Sequence, residues 1–243
     1  MNKKNIPRLL INKELKLDAT ILTENNDQHY LKKVLRLKIG DKVNIFNGTD
    51  GEWESTVIEE KKFSLFCNKQ IRLQTKLSGP VLYFALIKNH NLRWMIEKAT
   101  ELGVRKFCPM ITARTNNKNF NITKVLLHIK EACEVSERLS LPELDKTNTI
   151  INILEQTKRK SETIIFCNER RKDIFLHNYL KIQKKNKKFC FLIGPEGGFS
   201  KEEEKLINSY KQVVSVKLFD RILRAETAAI MALALYNSSF ENN

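Results

Sequence analysis

Two stretches of this chain combine residue types that do chemistry. The first, Ile-Gly-Pro-Glu-Gly-Gly-Phe-Ser over residues 193–200, places three of the chain's eight glycines in one turn. Glycine reaches backbone conformations closed to other residues and lets a ligand approach the main chain, while Pro195 stiffens the turn by fixing its own φ. The second, Leu218 to Ala228, sets Arg221, Arg224 and Glu226 around the apolar pair Ile222 and Leu223, with the hydroxyl of Thr227 at a helix start. Taken singly, each has an ordinary reading, as a βα turn and as a surface ion cluster beside a helix cap. Taken together, they are two specialised strand ends that can wall one pocket for a small molecule. A phosphate cradle is disfavoured: the turn lacks the Gly-Lys-Ser/Thr ending of a P-loop, and Glu196 repels phosphate. A metal site is not expected, because the five cysteines form no Cys-x-x-Cys pair and His29, His90, His128 and His177 are dispersed.

The elements that must position these stretches can be read outward from them. The apolar run Phe189–Ile193 enters the Gly-rich turn as a strand, and Ser200 with Glu203 makes a capping-box signature for a helix leaving it. Val213–Leu218 reads as the strand before the arginines, and Glu226–Tyr236 as an Ala-rich helix after them. Upstream, Val81–Ile87 is a continuous apolar run, as expected of a buried parallel strand. Leu92, Met95, Ile96, Ala99 and Leu102 follow at helical spacing, stopped by Gly103. Lys106–Ile111 is a strand, Ile122–Ser136 an amphipathic helix and Thr163–Cys167 a strand. A Lys-rich helix and loop then lead to Phe189. This alternation predicts an α/β domain with a mainly parallel sheet.

Before residue 75 the pattern is β-rich. Asp27–Leu37 has helical spacing, with Lys32, Lys33 and Arg36 on its polar side. Lys42–Phe46 alternates like a strand, Thr49-Asp50-Gly51 signals a hairpin, and Trp53–Ile58 and Phe63–Cys67 continue the sheet. Lys69–Pro80 is polar and ends in a Ser-Gly-Pro breaker, so it reads as a linker. The expected domains are 1–75 and 76–243.

The 243 residues carry a formal charge of +15, and basic residues exceed acidic ones on both sides of residue 80. Such an excess favours a polyanionic partner over a neutral one. No apolar run is long enough to span a bilayer, and the basic N-terminus lacks the apolar core of a signal peptide. The cysteines read as thiols in a reducing cytoplasm, and the protein is expected there.

The pair Gly194-Pro-Glu-Gly-Gly198 and Arg221-Ile-Leu-Arg-Ala-Glu-Thr-Ala228 resembles the RsmE family of 16S ribosomal RNA (uracil-N3)-methyltransferases. The likeness extends over nearly the whole chain, through Ile6-Pro-Arg8, His29–Arg36, Gly40-Asp41, Lys98–Val104 and Glu131–Arg138 followed by Pro142. It implies an N-terminal PUA-like β-barrel domain that binds RNA and a C-terminal SPOUT-type α/β domain with a deep trefoil knot. It also implies a homodimer, S-adenosylmethionine as cofactor, and 16S rRNA of the small ribosomal subunit as substrate. On that reading Leu192, Ile193, Gly194, Pro195, Glu196, Gly197, Gly198, Leu218, Ile222, Leu223, Thr227 and Ala228 hold the cofactor. Arg224, and secondarily Arg221, stabilise the anion that forms when uridine N3 loses its proton, since arginine does not act as a base in proteins. Glu226 either accepts that proton or forms a salt bridge at the helix N-terminus. Arg8, Lys32, Lys33, Arg36, Arg114 and Arg138 are the expected RNA contacts.

The chain departs from the family pattern at several positions. Phe219 stands where a glycine is usual, and a positive φ there would strain it. Val135 replaces a glutamine, and Arg93 and Glu97 stand where Glu and Gln are common. Two other functions remain open at this point: a different SPOUT RNA methyltransferase acting on another rRNA or tRNA base, and a non-catalytic RNA-binding ribosome-assembly factor.

Overall fold

The structure is a computed structural model that describes residues 6–116, 119–168, 173–184 and 187–240. The chain divides into two compact units, one made of residues 1–77 and 130–141, the other of 78–129 and 142–243.

In the first unit, strands β1 (Arg8–Leu10) and β2 (Thr20–Leu22) precede helix α1 (Asn25–His29), and β3 (Lys42–Phe46), β4 (Glu52–Glu59) and β5 (Ser64–Arg72) follow. They form one sheet in the order β1-β3-β4-β5-β2, parallel between β1 and β3 and antiparallel elsewhere. Val43 and Ile45 alternate inward on β3 and are fully buried against Leu9, Leu31, Val57 and Leu65. The β3–β4 hairpin needs Gly51: it has φ 77°, and a Cβ there would meet the Arg72 carbonyl oxygen. β5 runs on to Arg72, so the expected linker is strand for its first residues.

The helix expected over 27–37 is shorter and different. After α1 the backbone widens into a π turn at Tyr30–Val34, with Leu35 N–H bonded to the Tyr30 carbonyl at 3.0 Å, and leaves through Arg36 at φ 54°. The wider turn keeps Leu31, Leu35 and Leu37 on the core while the apolar Val34 is exposed.

The second unit runs β6 (Val81–Ala85), α2 (Asn89–Glu101), β7 (Lys106–Ile111), α3 (Ile122–Val135), β8 (Glu143–Leu144), β9 (Asn148–Thr149), α4 (Ile150–Arg159), β10 (Thr163–Cys167), β11 (Ile174–Phe175), α5 (Leu176–Lys181), β12 (Phe189–Ile193), α6 (Lys201–Asn208), β13 (Val213–Lys217) and α7 (Ala225–Phe240). From Lys130 on, α3 belongs to the first unit. The strands pair in the order β11-β13-β10-β12-β6-β7-β8, with β9 also on β7, and every pair is parallel. The predicted α/β architecture with a parallel sheet is therefore present. β6 and β12 are buried at every residue, the mark of a sheet covered on both faces. Among the described residues, no helix is long and apolar enough to cross a membrane.

Strand order is what builds the site. β10 lies between β12 and β13, and all three run the same way. Their carboxyl ends, Cys167, Ile193 and Lys217, therefore lie side by side. In an open parallel sheet that edge is where ligands bind.

Candidate active site

The Gly-rich turn forms because several local preferences agree. Gly198 N–H closes the turn on the Pro195 carbonyl at 2.9 Å, and Gly198 has φ 67°. Ser200 then caps α6 in a full capping box: its hydroxyl accepts from Glu203 N–H, and Glu203 Oε2 accepts from Ser200 N–H at 2.9 Å. Gly194 answers a different need. A Cβ there would lie 2.8 Å from the ring of Phe199, which packs edge-on against Phe166 with ring centres 5.3 Å apart. A side chain at 194 would push that ring pair aside.

Neighbouring segments hold the turn from outside. Arg114, in the loop after β7, donates from Nη1 to the Gly197 carbonyl at 2.9 Å, and Ala113 N–H donates to Glu203 Oε1 at 2.8 Å. Glu196 Oε1 accepts from Lys88 N–H at 3.1 Å. Lys88 is the N-cap of α2 and makes no side-chain cap bond of its own, so a carboxylate from the turn serves an orphan amide at that helix start.

Between the ends of β10, β12 and β13 lies a cavity of about 240 Å³. From the turn it takes Ile193, Gly194, Pro195, Glu196 and Gly198. From the loop after β13 it takes Leu218, Arg221, Ile222, Leu223 and Arg224, and from the first turn of α7, Ala228. The two stretches singled out in the sequence thus face one space. A third wall, Phe166-Cys167-Asn168 at the end of β10, was not foreseen, nor were Phe199, Glu204, Phe219 and Ala225. Burial pushes the Cys167 thiol up, so it stays neutral in the wall. Asn168 is 8% exposed, and its N–H is bonded to the Val216 carbonyl at 2.9 Å.

Several expected site residues are not on the cavity wall. Leu192 points into the hydrophobic core, as strand alternation requires when Ile193 faces the cavity. Gly197 faces Arg114, and Thr227 is exposed on α7. Glu226 is 6% exposed, is absent from the lining, and its Oε2 has no hydrogen-bond partner among the described residues. Arg224 and Arg221 are both exposed and both border the cavity. The guanidinium of Arg221 lies over the Phe219 ring, 4.5 Å from its centre. Phe219 does not adopt a positive φ, so replacing the usual glycine creates no backbone strain.

The expected RNA contacts divide by burial. Lys32, Lys33 and Arg36 are exposed on the π turn and its exit, and Arg114 is exposed beside the Gly-rich turn. Arg8 is turned inward: its side chain is 8% exposed, pairs with Glu52 at 2.5 Å, and donates to the carbonyls of Cys133 and Glu134. Those contacts occupy Arg8 as an internal strut, away from the exposed position an RNA contact needs. Arg138 is half-buried, donates from Nε to the Ser140 carbonyl, and is held below the usual arginine pKa by burial. Val135 is exposed at the end of α3, and Arg93 pairs with Glu97 one turn along α2 at 2.6 Å.

The cavity wall is mostly apolar side chains and main chain, with two carboxylates, Glu196 and Glu204, two guanidinium side chains, Arg221 and Arg224, the amide residue Asn168 and a neutral thiol. An apolar wall with a few polar groups suits a small organic ligand enclosed by the cavity.

Comparison with known proteins agrees with this geometry. The family model described as RNA methyltransferase domain matches residues 77–237, and the one described as RNA methyltransferase PUA domain matches residues 22–68. The chain is 37% identical over 232 residues to the ribosomal RNA small subunit methyltransferase E of Rickettsia conorii, covering 93% of each chain. It is 32% identical to the protein of the same name from Buchnera aphidicola subsp. Schizaphis graminum, covering 98% of each. A methyltransferase from Legionella pneumophila, solved with its bound cofactor SAM, superposes with a TM-score of 0.82 at 25% identity, covering 97% of this chain and 98% of that one.

Proposed function

The chain belongs to the ribosomal RNA small subunit methyltransferase E family, and on that premise we propose that it methylates N3 of a uridine in 16S rRNA of the small ribosomal subunit, using S-adenosylmethionine. The observation that carries this reading is the cavity at the carboxyl ends of β10, β12 and β13, walled on one side by Gly194, Pro195, Glu196 and Gly198 and on another by Leu218, Phe219 and Arg221–Arg224. Its largely apolar and main-chain lining, with two carboxylates and two guanidiniums, fits a nucleoside cofactor that carries both positive and negative groups. Ile193–Glu196, Gly198, Leu218, Ile222, Leu223 and Ala228 are the residues to hold it, joined by Cys167 and Asn168. When bound, S-adenosylmethionine supplies a methyl group already activated on a sulfonium, so the protein's task is chiefly positioning.

The chain's own residues supply the remaining functions. Uridine N3 must lose its proton before it can act as nucleophile, and the resulting charge spreads to O2 and O4. Arg224, on the cavity rim, stabilises that charge and cannot itself take the proton. Arg221 is its companion on the same loop. Glu226 lies off the cavity wall, so its role as proton acceptor operates through water or after a local rearrangement. The PUA domain carries RNA through Lys32, Lys33 and Arg36, and the net charge of +15 makes that binding fall as salt rises. The protein works as a cytoplasmic homodimer, with the segment around the Gly-rich turn and α7 threaded as the family's trefoil knot.

Incubation of the purified protein with methyl-labelled cofactor and small-subunit RNA or assembled subunits tests the reading. Label is expected in RNA; no transfer to either preparation overturns it.

A further inference from the structure

The cavity has an interior and a rim built from different residues. In the interior, Ile193, Phe199, Leu218 and Ala225 are each at most 7% exposed. On the rim, Phe219 is 39% and Ile222 73% exposed, with Arg221 and Arg224 alongside. A solitary exposed apolar residue needs no explanation. Phe219 is not solitary: it borders the cavity, and the Arg221 guanidinium sits over its ring at 4.5 Å. That arrangement restrains a long cationic side chain at the mouth of the site and keeps an aromatic ring beside it. Phe219 also cannot be ascribed to a turn requirement, because its backbone is unstrained and asks for no special residue.

The geometry points to Phe219 as the platform on which the target uracil stacks, by the ring face opposite Arg221, with Arg221 held by the ring to meet the base or its phosphate. This inference rests on the methyltransferase reading of the cavity. A base drawn out of folded RNA loses its stacking partners, and an aromatic side chain at the site of reaction replaces them. The exposed rim suits the RNA, which is too large to enter, whereas the buried apolar interior suits the cofactor, which is enclosed. The cationic pair beside the ring suits an RNA backbone or the uracil carbonyl oxygens.

The test is steady-state methylation by the full chain, with RNA varied at saturating cofactor, alongside calorimetric cofactor affinity and thermal melting for wild type, Phe219→Ala and Phe219→Tyr. Phe219→Ala is expected to raise the KM for RNA roughly 5- to 100-fold, the range for losing one stacked base. Its cofactor Kd and melting temperature should match the wild type, and Phe219→Tyr should recover most of the loss. An unchanged KM for RNA overturns the inference, as does a loss confined to cofactor affinity, which assigns the ring to the adenine instead. A wild type that transfers no methyl group sinks the methyltransferase reading itself; an active wild type with an unaffected Phe219→Ala sinks only this inference.

Discussion

Arg114 reaches from the loop after β7 to the Gly-rich turn and donates to the Gly197 carbonyl at 2.9 Å. The same loop is held a second time by Ala113 N–H on Glu203. Arg114 therefore shapes a wall of the cavity from behind, although it lies outside the lining. Loss of one charge-assisted hydrogen bond at an exposed site corresponds to about 1 kcal/mol. Arg114→Ala is expected to weaken cofactor binding by about fivefold in calorimetry, with Arg114→Lys closer to wild type.

Gly194 is constrained by contact and not by its φ. A Cβ would sit 2.8 Å from the Phe199 ring, inside the distance real side chains keep. Gly194→Ala must displace Phe199 from Phe166, an overpacking change of about 1–3 kcal/mol. It should lower the melting temperature by several degrees and weaken cofactor binding in the same preparation.

Arg224 is exposed and borders the cavity, the position from which the proposed mechanism has it stabilise charge on the base. Arg224→Ala should reduce turnover by about 100-fold or more, the scale for removing one preorganised electrostatic partner. Cofactor affinity should change by less than threefold. Single-turnover methylation and calorimetry on one protein sample separate the two.

In the first unit, Glu52 is 2% exposed and depends on Arg8 and Arg72 for its charge partners. Arg8→Ala leaves a buried carboxylate with one partner at 3.2 Å. Breaking such a pair from one side costs about 3–5 kcal/mol. Urea denaturation should show that loss, and Arg8→Ala with Glu52→Gln together should recover part of it.

The elements were legible where the determining signals are local. The Gly-Pro-Glu-Gly-Gly turn, the Ser200 and Glu203 capping box and the apolar runs of β6 and β12 all declare themselves within a few residues. The third cavity wall at Phe166–Asn168 was not legible, because it depends on β10 inserting between β12 and β13, a non-local fact. Leu192 and Ile193 are adjacent in sequence, but the strand's period of two sends one to the core and the other to the cavity. Thr227 and Glu226 fall in the motif yet off the wall, since helix geometry rotates successive residues away from Ala225 and Ala228. Arg8 reads as a surface cation until Glu52, 44 residues on, is known to face it. Helix α4 was absent from the expected order although Ile150, Ile153, Leu154 and Thr157 carry its 3.6-residue spacing and are buried.

Mapping of the modified nucleotide bears most directly on the central claim. Small-subunit RNA treated with the protein and methyl-labelled S-adenosylmethionine is digested and analysed by mass spectrometry. The account predicts label on a uridine as 3-methyluridine, formed about 100-fold or more slowly by Arg224→Ala. Label on another base, on a ribose, or at a carbon of the uracil ring contradicts it.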